Sequence, residues 1–295
     1  MGKLVRRWFV LLLAMVFSTL ALIAASPLEV MTFNIRLGTA EDGENHWDRR
    51  RDLLFRVIRD GEADIVGLQE ALRFQIDQIV SAVPAYGFVG VGRDDGREAG
   101  EYSAILYRTV RLRVLDSGTF WFSDTPENPG SASWGNRITR ICTWARFADS
   151  AGGSFYVFNL HLDHESQPSR ERSVQLLAAR IRDRAVQADP VIVTGDFNSD
   201  EQNAAIRWLL GEESALPGAG TPGIDLVDTF RTVHPDARRV GTFTGFNFGQ
   251  IDERKIDYVL AGPGFTVGAA RIVHTSRDGR YPSDHFPVVA TLERR

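Results

Sequence analysis

The stretch PVIVTGDFN at residues 190–198 is an apolar run that ends on an acid and an amide. Such continuous apolar character is typical of a strand buried on both faces, which occurs in sheets covered by helices. In extended geometry, residues two apart point the same way, so Asp196 and Asn198 can address one ligand together. A helix-capping turn explains these two residues equally well when the motif is taken alone.

Five further strand-like runs end on polar side chains of the same kinds. These side chains are Asn34 after MTF, Glu70 after IVGLQ, His161 in YVFNLH, Asp257 in KIDYVL, and Asp284 with His285 in SDHFPV. A buried strand holds a carboxylate only at a cost unless a partner or a cation is present. Acids gathered at strand ends therefore predict a shared polar pocket that binds a cation.

Each of these strand ends also has a purely structural explanation. Glu70 suits the start of a following helix, where the helix dipole favours an acid. Asn34 suits a simple turn, and His161 suits a buried histidine with satisfied hydrogen bonds. It is the combination of the ends that indicates a functional site.

Helical patterns alternate with the strand-like runs. Apolar residues recur at helical spacing over 50–60, 74–83 and 170–187, and Ser199 with Gln202 has the spacing of a capping box that would begin another helix. Strands are expected over residues 29–34, 64–69, 102–107, 111–122, 139–148, 154–162, 190–195, 255–260 and 286–292. This alternation predicts an α/β fold in which helices cover mixed sheets.

The beginning of the chain differs from the rest. Lys3, Arg6 and Arg7 precede an apolar run over residues 8–25. This order predicts a secretory signal peptide over residues 1–25 and a periplasmic or secreted mature protein. The alternative is an inner-membrane anchor through the apolar run, because ~18 apolar residues are just enough to span a bilayer.

The remaining residues, 27–295, are expected to form one domain, because no linker divides the polar strand ends into two groups. Without the first 25 residues the chain has 31 basic and 38 acidic side chains, a net charge of −7. An acidic protein has no overall attraction for polyanions, so we expect no tight binding of duplex DNA. No protein partner is implied. The single cysteine, Cys142, cannot form an intrachain disulfide and is expected to be buried and inert.

Seven motifs, in order along the chain, resemble those of the endonuclease/exonuclease/phosphatase (DNase I-like) superfamily. They are TFN at 32–34, LQE at 68–70, EYSAILYR at 101–108, NLHLDH at 159–164, TGDFN at 194–198, IDYVL at 256–260 and SDHFPV at 283–288. Four further motifs resemble a bacterial group near the deadenylase-like proteins: WDRRRDLL, GVGRDDG, GTFWFSDTP and RICTWARF. The resemblance implies a four-layer α/β sandwich, with two mixed β-sheets packed face to face and flanked by helices.

The resemblance also implies a metal site and a base. Glu70 would be the principal metal ligand, helped by Asn34 and Asp284, and the cofactor would be Mg²⁺, with Mn²⁺ as the alternative. Asp196 would orient and deprotonate the attacking water. Asn198 would hold a phosphate oxygen.

Two histidines would face the scissile phosphate as imidazolium groups. By the resemblance, Asp257 would hold His285 in the required tautomer, and Glu101 would do the same for His161. Arg140, at the start of RICTW, could supply a further cation near the phosphate. The alternative for Arg140 is an arginine on a strand surface.

The expected function is therefore that of an exported, metal-dependent hydrolase of phosphodiester bonds, with RNA, DNA or a nucleotide as the favoured substrate. A phospholipid or inositol-phosphate hydrolase is the alternative enzyme. A non-catalytic envelope protein that keeps the fold for binding is a third possibility.

Overall fold

The computed structural model describes residues 26–295, in which two β-sheets lie face to face between helices. The signal peptide or anchor expected over residues 1–25 lies outside the described residues. The strands are β1 (Leu28–Asn34), β2 (Ile65–Gln69), β3 (Tyr86–Val89), β4 (Ile105–Arg108), β5 (Leu112–Trp121), β6 (Ile141–Asp149), β7 (Ser154–His161), β8 (Val191–Asp196), β9 (Val227–Asp228), β10 (Asp257–Ala261), β11 (Phe265–Ile272) and β12 (Val288–Arg294). The helices are α1 (Trp47–Gly61), α2 (Arg73–Ala82), α3 (Gln167–Arg182), α4 (Ala204–Leu209) and α5 (Thr229–Val233).

Each sheet has six strands and one parallel pair near its centre. The first sheet has the order β11-β12-β1-β2-β4-β3, and the second has the order β5-β6-β7-β8-β10-β9. β1 pairs with β2 in parallel, as β7 does with β8, whereas the neighbouring pairs are antiparallel. Both sheets are mixed, which confirms the predicted α/β sandwich.

Helices cover the outer face of each sheet. Leu54 of α1 and Ile76 of α2 pack in one apolar cluster with Phe33 of the first sheet. Leu177 of α3 and Ile206 of α4 belong to the cluster on the outer face of the second sheet. A third cluster fills the space between the sheets. These layers make four in all, as predicted.

The inward-facing positions of the central strands change from apolar to polar toward one end of the sheets. Because side chains alternate along a strand, every second residue faces the opposite sheet. The inward series is Val30, Thr32 and Asn34 on β1; Val157, Asn159 and His161 on β7; and Ile192, Thr194 and Asp196 on β8. The polar strand ends recognised in the sequence therefore meet at one end of the space between the sheets.

A buried polar layer separates this end from the apolar core. Gln69 Nε2 donates to Thr32 Oγ1 (3.1 Å) and to Asn159 Oδ1 (2.7 Å), and Thr194 Oγ1 also donates to Asn159 Oδ1 (2.9 Å). Asn159 Nδ2 donates to the carbonyl oxygens of Leu68 (2.8 Å) and Ala104 (2.9 Å). Asn159 thus links three strands of the two sheets just below the polar end.

Several elements differ from the sequence expectations. The helix after TGDFN begins at Ala204, capped by Asn203, so the capping box at Ser199 and Gln202 is wrong. Ser199 is buried instead, and its carbonyl accepts a hydrogen bond from Tyr258. α3 ends at Arg182, five residues before the predicted boundary.

The strands β3, β9 and β11 and the helix α5 were not predicted, because they are short or lie at sheet edges without a clear apolar period. Cys142 is buried, and burial raises the pKa of its thiol well above the ordinary value, as expected for an inert cysteine. Within residues 26–295, no helix has the length and apolar character needed to cross a membrane.

Gly67 provides a test of the polar layer. A Cβ at this position would overlap Thr194 Oγ1 and Asn159 Oδ1. We expect Gly67→Ala to lower the free energy of unfolding by about 1–3 kcal/mol, because overpacking forces the two sheets apart. Urea or thermal unfolding measures the change. Gly268→Ala is the matched control, since its Cβ would meet its nearest neighbour at 3.4 Å. Equal stability of the two variants would contradict the close approach of the sheets.

Candidate active site

Asp196 lies at the centre of the polar end of the sheets and is only 1% exposed. Its Oδ2 atom accepts a hydrogen bond from Asn34 Nδ2 at 3.0 Å. The same oxygen lies 3.5 Å from His161 Nε2 and 3.7 Å from His285 Nε2. Sheet register brings these groups together, because Asp196 is paired with His161 on one side and with Asp257 on the other.

His285 is held by Asp257 and carries a positive charge. Its Nδ1 atom donates to Asp257 Oδ2 at 2.8 Å, and both residues are buried. Although burial opposes the charge, the carboxylates of Asp257 and Asp196 raise the pKa of His285 well above its ordinary value. His285 therefore presents a protonated Nε2 to the site at neutral pH.

His161 is neutral. Asn198 Nδ2 lies 3.0 Å from His161 Nε2 and donates to the carbonyl of Leu162 at 3.0 Å. An amide nitrogen can only donate, so His161 Nε2 must accept and is unprotonated. Burial and the positive charges of Arg140 and Arg93 lower the pKa of His161 well below its ordinary value. The site thus holds one imidazolium, and the expectation of two is wrong.

Glu101 does not hold His161. Its two carboxylate oxygens accept hydrogen bonds from Arg93 Nη1 and Nη2, each at 2.7 Å. The expected partnership of Glu101 with His161 is therefore wrong, because Arg93 takes the carboxylate. Arg93 was missed in the sequence, although the GVGRDDG motif contains it. Arg93, Glu101 and His161 line one narrow cleft.

Arg140 lies in the same cleft and is 4% exposed, so its interpretation as a surface strand residue is wrong. Its Nη2 atom lies 2.8 Å from His164 Nδ1, and its Nε atom lies 3.5 Å from Asp163 Oδ2. Burial and the neighbouring Arg93 lower the pKa of Arg140 below its ordinary value. Two arginines therefore stand beside His161.

Glu70 enters the site through a left-handed backbone conformation. It directly follows β2 and has φ 58°, which ends the alternation of the strand and is rare for a residue other than glycine. Oε1 accepts from Asn34 Nδ2 and Oε2 accepts from the backbone N–H of Leu37, each at 3.0 Å. Although burial opposes ionisation, the Asn34 amide and the charge of His285 lower the pKa of Glu70.

Asn34 joins two carboxylates. Its Oδ1 atom accepts the backbone N–H of Arg36 at 3.0 Å, which fixes the amide orientation because a backbone nitrogen can only donate. Its Nδ2 atom consequently faces Glu70 and Asp196. This orientation makes Asn34 a bridge between Glu70 and Asp196, and its expected role as a metal ligand stays a prediction.

Arg36 lies between the two acids that were expected to hold the metal ion. Its guanidinium forms two hydrogen bonds with Asp42, at 2.9 and 3.0 Å. It also lies 4.0 Å from Glu70 and 3.7 Å from Asp284. Burial and the charge of Glu70 raise the pKa of Asp284. Arg36 was missed in the sequence, although it stands two residues after the Asn of MTFN.

The donor set of the site fits a divalent cation. Asp196, Asp257 and His285 each offer a ligand atom, and these atoms lie within 4.8 Å of one another, so the group could hold a metal ion. Glu70 and Asp284 add two further carboxylates. Asp257 Oδ1 is buried and lacks a hydrogen-bond partner among residues 26–295. Hard divalent cations prefer such carboxylate oxygens.

The model of the Endonuclease/Exonuclease/phosphatase family matches residues 31–285. The chain belongs to this family. A family protein from Bacteroides vulgatus is 34% identical, with a TM-score of 0.81 over 92% of this chain and 100% of that chain. The mannosyl-6-phosphatase of Bacteroides thetaiotaomicron is 32% identical, with a TM-score of 0.80 over 90% of this chain and 99% of that one.

The human nocturnin catalytic domain is 17% identical, with a TM-score of 0.71 over 91% of this chain and 95% of that domain, and shows the fold alone. Membership of the endonuclease/exonuclease/phosphatase family makes the chain a phosphoesterase, with a phosphoester as its substrate. The closer placement near the deadenylase-like proteins stays a prediction.

An exposed aromatic ring borders the phosphoesterase site and was missed in the sequence. Phe243 pairs with His285 in an isolated antiparallel bridge, and the two rings are 5.0 Å apart. Its side chain is 42% exposed at a pocket of about 520 Å³, which Arg239, Asn247 and Gln250 also line. The glycine-rich run GTFTGFNFGQ, with three phenylalanines among polar residues, was the available signal.

Asp196 is expected to titrate near neutral pH in the metal-free protein. Burial and the charge of Asp257 raise its pKa to about 7, from an ordinary value of 3.8. Between these values the folded state binds a proton that the unfolded state has lost, so this group's contribution to stability falls as the pH rises from about 4 to about 7.

Carbon-detected NMR in EDTA should show one aspartate carboxyl with a midpoint near pH 7, and Asp196→Asn should remove it. Mg²⁺ should move the midpoint to lower pH, because a nearby cation favours the carboxylate. Asp60→Asn, at an exposed position, is the control for assignment. Titration of every aspartate below pH 5 would contradict this account.

Proposed function

We propose that the protein is an exported phosphoester hydrolase that depends on a divalent metal ion, Mg²⁺ or alternatively Mn²⁺. The observation that carries the proposal is the contact between Asp196 and His285, 3.7 Å apart. The pKa of Asp196 is raised to about 7 and that of His285 lies well above its ordinary value. Catalytic sites typically contain two neighbouring titratable groups whose surroundings keep one protonated, as an acid, and leave the other able to accept a proton, as a base.

Asp196 acts as the general base. In the metal-free protein its pKa is about 7, so the carboxylate takes up a proton readily, and a bound cation would keep it ionised and available as a base. The amide of Asn34 and the backbone N–H of Asn198 hold the carboxylate in place. Asp196 therefore orients a water molecule and accepts its proton as the oxygen attacks phosphorus.

His285 stabilises the negative charge that develops on the phosphoryl oxygens. Asp257 fixes the ring through Nδ1, which leaves the Nε2 proton to face the substrate. Arg140 supplies a further positive charge beside neutral His161, whose unprotonated Nε2 accepts a hydrogen bond from the Asn198 amide. Donors fixed in a buried site act without reorganisation during the reaction.

Glu70 and Asp284 are the side chains that would hold the metal ion. Both carboxylates face Arg36 at one edge of the site. His285 is a poorer ligand, because its Nδ1 is bonded to Asp257 and its Nε2 is protonated. When bound, a divalent cation supplies Lewis-acid polarisation of a phosphoryl oxygen.

The substrate is proposed to be a small phosphoester that carries a ring. The exposed ring of Phe243 beside His285 can stack against a sugar or a base that bears the phosphate. We place sugar phosphates first, because a mannosyl-6-phosphatase is 32% identical over 90% of this chain. Nucleotides, favoured by the sequence motifs, come second. The acidic net charge disfavours long polyanions such as duplex DNA.

Export rests on the basic and apolar segments of residues 1–25, and fractionation of cells that express the full chain tests it.

A phospholipid or inositol-phosphate hydrolase remains the alternative enzyme. A non-catalytic binding protein would show no turnover sensitive to EDTA on any phosphoester. Mannose 6-phosphate, nucleoside monophosphates, single-stranded RNA, DNA, sphingomyelin and bis-nitrophenyl phosphate should be assayed in parallel.

Removal of the imidazolium should abolish most of the activity. We expect His285→Gln to lower turnover by about 10²–10³, because one charge-stabilising donor is lost. Steady-state kinetics with Mg²⁺ on the best of these substrates measures the effect, and circular dichroism verifies folding. His46→Gln, at a half-buried histidine that contacts none of these groups, should retain the wild-type rate. Wild-type turnover in folded His285→Gln would reject the role of His285.

Phe243 should control recognition of the ring. We expect Phe243→Ala to raise KM for mannose 6-phosphate and nucleoside monophosphates by about tenfold, since aromatic stacking contributes about 1–3 kcal/mol. Glycerol phosphate, which has no ring, should be almost unaffected. Phe248→Ala is the control, because Phe248 is 54% exposed on the same segment but packs against Tyr281. Equal losses on substrates with and without a ring would contradict stacking.

A further inference from the structure

Arg50 is a buried arginine of the WDRRRDLL motif, and its hydrogen-bond partners are backbone carbonyls. It is 2% exposed. Nε donates to the carbonyl of Asn45 (2.9 Å), and Nη2 donates to that of Arg36 (3.1 Å). Nη1 donates both to Ile35 (2.7 Å) and to Pro282 (2.8 Å). The planar guanidinium thus bonds to four main-chain groups at once.

The charge of Arg50 is buried without a carboxylate in contact. Across residues 26–295, no acid lies within hydrogen-bond distance of its guanidinium, which sits 5.3 Å from the Trp47 ring and 5.6 Å from the Phe246 ring. Burial lowers the pKa of Arg50 to about 10, so the group stays protonated at neutral pH. An apolar side chain here would leave the buried carbonyls without their donor, at a cost in stability for each unsatisfied group. The directed hydrogen bonds are therefore what this position gains from arginine.

Three of the four carbonyls, those of Ile35, Arg36 and Pro282, belong to two chain segments that leave the sheet and enter the active site. β1 and β12 pair from Leu28 with Leu292 as far as Thr32 with Val288. Beyond that last pair, segments 33–36 and 282–287 are no longer joined by the strand-to-strand hydrogen bonds that set the distance between them. Arg50 spans this gap, together with the hydrogen bond from Ser283 Oγ to the carbonyl of Asn34 at 2.7 Å.

These two segments carry the groups that the proposed function uses. Asn34 and Arg36 stand on one segment, and Asp284 and His285 stand on the other. Arg36 has a left-handed backbone, φ 59°, and its carbonyl is one of the four acceptors. A shift of either segment would therefore change the distances around Asp284.

We propose that Arg50 is a positioning residue of the phosphoesterase site. Its hydrogen bonds hold segments 33–36 and 282–287 at a fixed distance from each other. The inference rests on the proposed metal-dependent function. Arg50 touches neither substrate nor metal ion. It acts through the backbone of the residues that do.

The test compares Arg50→Lys and Arg50→Gln with the wild type. Lysine keeps the positive charge but lacks the planar guanidinium that bonds to several carbonyls at once. Glutamine lacks both the charge and the guanidinium. We expect the Kd for Mn²⁺, measured by electron paramagnetic resonance without substrate, to rise about 10- to 100-fold, as is typical when a group that orients metal ligands is lost. Lysine should be the milder change, and kcat should fall in the same order. Arg56→Gln, at an exposed position of α1, should stay within twofold of the wild type.

The outcomes separate this inference from the proposed function. Wild-type protein that binds no Mn²⁺ and hydrolyses no phosphoester would overturn the proposed function. Folded Arg50 variants that bind Mn²⁺ and turn over as the wild type does, with only a lower melting temperature, would overturn the positioning role. If Arg50→Gln does not fold, Arg50→Lys decides. Failure of both variants to fold, beside a folded Arg56→Gln, would assign Arg50 to stability and reject the proposal.

Discussion

The burial of several carboxylates at one end of the space between two sheets is the constraint on which the rest of the structure depends. Asp196, Asp257 and Asp284 are each at most 5% exposed. Ionised groups are costly at such depth unless they are paired. The surrounding amides, the imidazolium of His285 and the guanidinium of Arg36 offset part of this cost. The remaining negative charge is what makes the site suited to a divalent cation.

The side chains between the two sheets are arranged in layers that support these buried carboxylates. An apolar core between the sheets gives way to the hydrogen-bonded layer around Asn159, and that layer gives way to the ionisable groups. The order follows from strand alternation, since residues two apart share a face. The backbone is left-handed at Arg36, Glu70 and Asn198. This conformation turns their side chains toward the site, which regular strand geometry would not do. Strained conformations of this kind cluster at functional sites.

The two histidines illustrate how environment separates similar groups. His285 has Asp257 as its partner and is charged, whereas His161 stands near Arg140 and Arg93 and is neutral. The active site therefore combines one charged donor with one neutral histidine. Family membership alone does not distinguish them, because the difference lies in which side chains pack around each ring.

The sequence by itself determined the fold class and most of the groups that converge. Apolar runs ending in Asp196, His161 and Asn34 predicted strands whose ends meet, because alternation and burial are local properties that a single chain segment records. The order of the motifs predicted the family. Edge strands such as β11 escaped prediction, since an exposed edge needs no apolar period.

Only the tertiary structure decided the partners. The pairing of Glu101 with Arg93, the orientation of the Asn34 amide, and the approach of Arg50 to Pro282, 232 residues away, depend on segments far apart in the chain. Spacing within a motif carries no information about which distant group will be adjacent. Charge states follow the same rule, because a pKa is set by the three-dimensional arrangement of neighbouring charges and by burial.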